Sequence, residues 1–210
     1  MQFLYQPIKP FRISQKFGDN QVCYFKSPDG SRIYKGKFTH EDCEVKYGAG
    51  WKSIYRRMRG HNGLDLYAKR WQPCYAMQHG TVLNVSTDEN EGLGVVLRHD
   101  IVGKIWKTRS WHFIQVNSAL KEGDKVKTGQ LLGYCDSTGR STGDHLHIDL
   151  KELNTDGTIK NYDNGYFGAV DPMLYMSDIF APDVNKINKS IELAIQAIEK
   201  LTRIIRNLKK

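Results

Sequence analysis

Asp144-His-Leu-His-Ile-Asp-Leu150 decides the fold, because its polar and apolar residues alternate without a break. A strand sends successive side chains to opposite faces. His145, His147 and Asp149 therefore share one face, while Leu146, Ile148 and Leu150 turn to a core. Both imidazoles point the same way. Far upstream lies His61-Asn-Gly-Leu-Asp65. Read as extended, its even spacing puts His61 and Asp65 on one side, with Gly63 leaving room for an ion or a substrate. Three ligands drawn from His61, Asp65, His145 and His147 make an open zinc site. A structural zinc takes four protein ligands, usually including cysteines, whereas three nitrogen and oxygen ligands leave a place for water.

The surrounding chain reads as mainly β. From Gly63 to Leu150, short apolar runs such as Thr81-Val-Leu-Asn-Val85 and Leu93-Gly-Val-Val-Leu97 are broken by Gly, Asp and Asn. This pattern predicts an antiparallel β domain. Gly123 to Gly129 holds the turns of a late hairpin. Residues 19–60 carry turn signals at Pro28-Asp-Gly30 and Tyr47-Gly-Ala-Gly50 and read as an insertion ahead of the first ligand. Tyr34, Trp51, Tyr55, Arg56 and Arg57 within it are able to wall a groove. His79, followed by Gly80, reads as a turn residue, and His40 and His99 as structural histidines. Asp149 reads as a strand residue beside the groove rather than as a ligand.

A hydrolytic zinc site also needs a proton acceptor. No H-E-x-x-H helix is present to supply a glutamate, so the work falls to histidines, and His112 in Ser110-Trp-His-Phe113 is the candidate. At this point the chain resembles the lysostaphin and LytM group of zinc endopeptidases that cut bacterial cell-wall peptides. Phe17-Gly18 resembles the family's early F-G, and His61-Asn-Gly-Leu-Asp-Leu66 its H-x-G-x-D. Gly80-Thr-Val82 resembles the strand turn that follows, and Val126 to Gly133 the late hairpin. Ser137-Thr-Gly-Arg-Ser-Thr-Gly-Asp-His-Leu-His147 resembles its glycine-rich turn leading into H-L-H, and Asp171-Pro-Met-Leu-Tyr175 its closing segment.

The resemblance implies one Zn²⁺ per chain held by His61, Asp65 and His147. It also implies that His112 and His145 flank the attacking water and the scissile carbonyl, with Tyr55 near a place where some members have an oxyanion donor. The implied fold is a LytM-like peptidase domain over residues 1–178. The implied activity is hydrolysis of peptidoglycan peptide cross-links. Ser110, Trp111 and Phe113 depart from the family's usual neighbours of the third histidine, which bears on substrate preference. The alternative is a structural or wall-binding component of a virion or envelope machine, with the same fold and little catalysis. A decayed site would usually have lost one of His61, Asp65 or His147, and none is lost.

After Pro182 the pattern changes. Val184, Ile187, Ile191, Ala194, Ile198, Leu201, Ile205 and Leu208 recur at alternating steps of three and four, a heptad seam within residues 179–210. An amphipathic, coiled-coil-like helix is predicted. Val or Ile at the a positions favours a parallel dimer, while Ile195 and Ile204 widen the stripe toward a trimer or another protein partner. Folding back on its own domain and lying on a membrane through Lys200, Arg203, Arg206, Lys209 and Lys210 are the other uses.

The net charge of +8 suits a polyanionic target such as an acidic cell wall. Nucleic acid lacks support, since no zinc-finger spacing, aromatic RNA-binding strand or recognition helix is present. The first ten residues lack the pattern of a signal peptide, and no apolar run is long enough for a membrane span. Either a leader has been removed or the protein reaches its wall by another route, as a phage virion or lysis protein made in the host cytoplasm would. Cys23, Cys43, Cys74 and Cys135 lack C-x-x-C spacing and read as free thiols, with a Cys23–Cys43 bridge open if the protein is exported.

Overall fold

The structure, a computed structural model, describes residues 1–20, 23–26, 32–34, 38–39, 52–53, 58–88 and 91–208. Twelve strands and one helix organise the part that positions the site. They are β1 (Leu4–Gln6), β2 (Ile13–Gln15), β3 (Leu64–Tyr67), β4 (Pro73–Tyr75), β5 (Gly80–Asp88), β6 (Gly92–Ile101), β7 (Lys104–Val116), β8 (Lys125–Val126), β9 (Leu131–Cys135), β10 (His145–Leu153), β11 (Ala169–Val170), β12 (Met176–Phe180) and α1 (Ala181–Leu208). Ten of these strands form one sheet with the order β8-β5-β6-β7-β10-β3-β2; β9 joins β7 to β4, and β11 adds to β10. All its pairings are antiparallel. Within residues 19–53, Asp19–Asn20 pairs with Phe38–Thr39, and Cys23–Lys26 pairs with Arg32–Tyr34 and Lys52–Ser53.

One face of the sheet is the core. Leu64 and Leu66 of β3, Leu146, Ile148 and Leu150 of β10, Leu97 of β6 and Val82 of β5 are almost wholly buried. Burial of each such side chain stabilises the fold by about 1.5–3 kcal/mol. Phe3, Trp106 and Tyr175 close the core with ring centroids 5.0–5.2 Å apart, while β1 runs parallel to β12. The alternation in β10 therefore holds as expected.

Two local expectations do not hold. His61 is not part of an extended segment with Asp65, because Asn62 and Gly63 bend and the strand begins at Leu64. Gly63 is needed for a different reason. A Cβ there would lie 2.3 Å from the Ile148 carbonyl and 2.8 Å from the His147 ring, so this glycine lets the bend press against β10. The late hairpin is also not a hairpin: β8 pairs with β5, whereas β9 pairs with β7 and β4. Turn signals do not say which strand a returning segment joins.

Helix α1 follows β12 directly, with Pro182 in its first turn, where a missing N–H costs nothing. Buried Ala181 and a bond from Asn185 to the Thr128 carbonyl (2.9 Å) tie its start to the domain. Farther along, Ile187, Ile191, Ile195, Ile198 and Leu201 are 43–62% exposed. From Ile187 to Leu201 the seam therefore does not pack on the domain, whereas Val184 at its start is half-buried. No helix among the described residues is long and apolar enough to cross a membrane.

Candidate metal centre

The face of the sheet opposite the core carries the site. Asp65 of β3 stands directly across from His147 of β10. His61 reaches the same place because two glycines meet behind it. Gly18, at φ +81°, donates its N–H to the His61 carbonyl (2.8 Å), and the His61 N–H bonds the Asp19 carbonyl (2.9 Å). A Cβ on Gly60 would come within 2.2 Å of the Gly18 carbonyl. The Phe17-Gly18 turn is therefore a seat for His61.

Three ligand atoms converge. His61 Nε2 lies 3.0 Å from His147 Nδ1 and 3.1 Å from Asp65 Oδ1, and His147 Nδ1 lies 2.9 Å from the same oxygen. Among the described residues these three form a group that could hold a metal ion. The His61 Nδ1 atom faces the Lys16 carbonyl at 3.1 Å. A carbonyl only accepts, so Nδ1 carries the proton and Nε2 presents a lone pair to the other two atoms. Positive charge has to sit among them. Burial works against the Asp65 carboxylate, yet the hydrogen bonds and charges of His147 and His61 hold it well below the usual range, so it is an anion. Burial also opposes a charge on His147, but Asp149 and Asp65 prevail and push its imidazole up to about 10. Two neutral imidazoles and a carboxylate at these spacings fit a zinc ion, whose bonds of about 2.0–2.2 Å in tetrahedral array hold ligand atoms a little over 3 Å apart.

Asp149 lies behind His147. The residue is 1% exposed, with Oδ2 3.6 Å from His147 Nε2 and 2.6 Å from Arg109 Nε. Arg109 is directly across on β7 and holds the carboxylate far down against the penalty of burial. At 3.6 Å the carboxylate places its charge beside His147 Nε2, which has no hydrogen-bond partner, while Nδ1 is turned toward Asp65. The reading of Asp149 as a strand residue captured its place but not this contact. Alternation in β7 puts Arg109 on the site face, but only the register of β7 against β10 sets it opposite Asp149.

His112 reaches the site by breaking the alternation. Trp111 pairs with His147 and faces the site, so a regular strand would turn His112 to the core. Instead Leu93 pairs with Phe113 while Val95 pairs with Ser110, which leaves an extra residue on β7, and His112 adopts φ +68°. This bulge re-aims the ring, at a cost of about 1–3 kcal/mol for the left-handed backbone. The ring centroid ends 4.4 Å from that of His145 and 6.1 Å from that of His147. His112 Nδ1 donates to the Thr138 carbonyl (2.7 Å) and His145 Nδ1 to the Gly143 carbonyl (2.8 Å), so each keeps a free Nε2. Burial, reinforced by the neighbouring His145, lowers His112 to about 4. His145 Nε2 stands 3.6 Å from Asp65 Oδ1. Both carbonyls belong to the glycine-rich turn before H-L-H. Tyr55 lies outside the described residues, as do His40, Trp51, Arg56, Arg57 and the Cys43 partner of the Cys23–Cys43 bridge, while Cys74 and Cys135 are free and buried. His79 and His99 are not brought to the site; His99 faces the core.

Residues 59–161 match the model of peptidase family M23. The peptidoglycan DD-endopeptidase ShyA of Vibrio cholerae is 34% identical over 97 residues, 46% of this chain and 21% of that protein. The glycyl-glycine endopeptidase ALE-1 of Staphylococcus capitis is 27% identical over 129 residues, 54% of this chain and 34% of the relative. The chain thus spans between a fifth and about a third of the length of these curated relatives. In overall fold it resembles a zinc-containing peptidase from Vibrio cholerae (TM-score 0.51, 24% identity, 85% of this chain and 41% of that one). It also resembles the catalytic domain of the prophage-encoded M23 protein EnpA from Enterococcus faecalis (TM-score 0.50, 23% identity, 81% and 95%). With the ordered motifs, the sheet and the His-Asp-His group in place, this chain carries a peptidase family M23 domain, homologous to the LytM and lysostaphin-type peptidoglycan endopeptidases.

Proposed function

We propose that this protein is a zinc-dependent endopeptidase that hydrolyses the peptide cross-links of bacterial peptidoglycan. The observation that carries the reading is the convergence of His61, Asp65 and His147, with two further imidazoles whose free nitrogens stand beside them. A zinc ion held there supplies Lewis acidity, which acidifies a water and polarises a carbonyl. The chain's own residues supply the rest. His112 and His145 are fixed by backbone carbonyls at Nδ1, so the proton of the attacking water goes to an Nε2 and returns from there to the leaving amine. The burial of His112 keeps it neutral at pH 7 and therefore able to accept. Asp149, held by Arg109, keeps a negative charge beside His147 while this happens.

The reading is tested by digesting purified peptidoglycans of different cross-bridge chemistry and identifying new amino termini by mass spectrometry. Zinc-loaded protein should create them and chelator-treated protein should not. Wall binding without new termini from any cross-bridge would leave a binding module instead.

The exposed seam of α1 is proposed to assemble chains or dock another protein, since helices in proteins draw most of their stability from burying such an apolar stripe. Light scattering should give the full chain a mass above one copy at tens of micromolar, and removal of residues 183–210 should return it to one copy. A monomeric full chain would leave docking to a different protein.

A further inference from the structure

Beyond the metal ligands, the same face of the sheet carries a row of cations running across its strands. Lys107 of β7 stands directly opposite Lys151 of β10 on one side and Arg98 of β6 on the other. Side chains directly opposite on neighbouring strands lie about 4.5–5.5 Å apart at Cβ, and like charges in that position destabilise a sheet. Three in succession need a compensating charge. The described acidic groups of this face lean toward the arginines: Asp100 bonds Arg98 (2.8 Å), Asp149 bonds Arg109 through Oδ2 while its buried Oδ1 has no hydrogen-bond partner, and Glu91 lies 3.8 Å from Arg109. Among the described residues no hydrogen bond or ion pair engages the ammonium of Lys107 or Lys151.

Lys151 is the more telling of the two, because it is 4% exposed. A lysine buried to that degree is rarely left without an anion. Burial, with Arg109 and Lys107 adding to it and Asp149 and Glu91 opposing, lowers it to about 8. Lys107 is half-buried and Arg98 a third exposed, so the row opens to solvent at its Arg98 end and closes at Lys151.

We propose that Arg98, Lys107 and Lys151 form a subsite for a carboxylate of the substrate peptide. Lys151 lies four residues beyond His147 on the same face, about 13 Å along an extended strand. A peptide laid along β10 with its scissile bond at the metal spans that distance in about four residues, which places the anion on the molecule being cut. Lys107 and Arg98, at the open end, engage the carboxylate directly, and the buried Lys151 adds charge behind them. The inference rests on the proposed endopeptidase reading and specifies its substrate: a cell-wall peptide with a free carboxylate at one end of the groove.

The test compares a cross-linked cell-wall peptide with free side carboxylates and the same peptide amidated there. Zinc-loaded full-length protein is used, as wild type, Lys107→Gln, Lys151→Gln and Lys107→Arg. Wild type should favour the free-carboxylate peptide in kcat/KM by about 10- to 100-fold, the worth of one or two charged hydrogen bonds. Either glutamine variant should lose that preference, mainly through KM, and Lys107→Arg should keep most of it. Melting temperatures should not fall, because each glutamine removes a like-charge contact; a lysine that is only structural would show the opposite. If Lys151→Gln does not fold, Lys107→Gln decides. Equal losses on both peptides, no wild-type preference, or a preference for phosphate-bearing wall polymer that vanishes in the variants while peptide amidation has no effect would each overturn the proposal. Calorimetric binding of both peptides separates the two readings. Amide-sensitive, lysine-dependent binding without cleavage would uphold the subsite and sink the hydrolase, and cleavage indifferent to amidation would do the reverse.

Discussion

His99 and His147 are both buried histidines on one sheet, and they sit on its opposite faces. On the core face, His99 Nδ1 donates to the His79 carbonyl and Nε2 accepts from the Thr108 hydroxyl, both at 2.7 Å. Each nitrogen has the partner it needs, and burial lowers the group to about 4, so it stays neutral. On the other face, His147 Nδ1 meets the Asp65 carboxylate and a lone pair of His61. Its surroundings demand positive charge rather than exclude it. Burial alone does not separate a structural histidine from a ligand; the donor and acceptor balance around each nitrogen does.

The hardest attempt to break this contrast removes a ligand. His61→Ala or Asp65→Ala should reduce zinc after dialysis from one per chain to none, and peptide hydrolysis should drop below detection. Metal analysis showing full occupancy in either variant would remove the assignment. His112→Ala and His145→Ala come next. They should keep the metal and lower turnover by about 10² to 10⁴, since their nitrogens move protons rather than hold the ion. If His145→Ala lost zinc and His147→Ala kept it, the two residues of H-L-H would exchange roles.

A smaller effect sharpens the contrast from behind the site. Asp149→Asn keeps the shape but removes the charge beside His147, and partners of this kind are worth about 10- to 100-fold in metal affinity. Zinc affinity measured by competition with a chromophoric chelator should fall in that range, and Asp149→Glu should recover part of it. Unchanged affinity in Asp149→Asn would reduce the Arg109–Asp149 pair to a structural role.

Much of this was legible from the alternation in Asp144 to Leu150, because a period of two leaves little choice about which face a side chain takes. Asp65 was equally plain. His61 was harder, since its place depends on Gly18 and Gly60 touching back to back across a long separation in sequence. For His112, the strand rule points to the wrong face, and only the bulge with its positive φ brings the ring over. No local propensity announces such a bulge. β8 and β9 show a related gap: their turns were visible, but their partners were set by distant strands. The cation row required the register of three strands, which the sequence leaves open until they are paired.

The last prediction concerns His99 and leaves the metal alone. Its folded value of about 4 lies below the 6.5 of a free histidine, with burial as the main cause. As pH falls below about 6.5, the unfolded chain binds a proton that the folded chain refuses, so stability is lost progressively until pH reaches about 4. The full span is about 2.5 units, or roughly 3 kcal/mol, of which about 2 kcal/mol falls between pH 7 and pH 5. His99→Gln has no such proton to bind. It should be less stable than wild type at pH 7, because the paired ring is gone, yet it should have the flatter profile between pH 7 and pH 5. Urea unfolding of both proteins with zinc in excess measures the difference and cancels the contribution of the metal ligands, which both share. Parallel profiles would mean that His99 takes up its proton in the folded state, and the separation drawn between the two faces of the sheet would have to be given up.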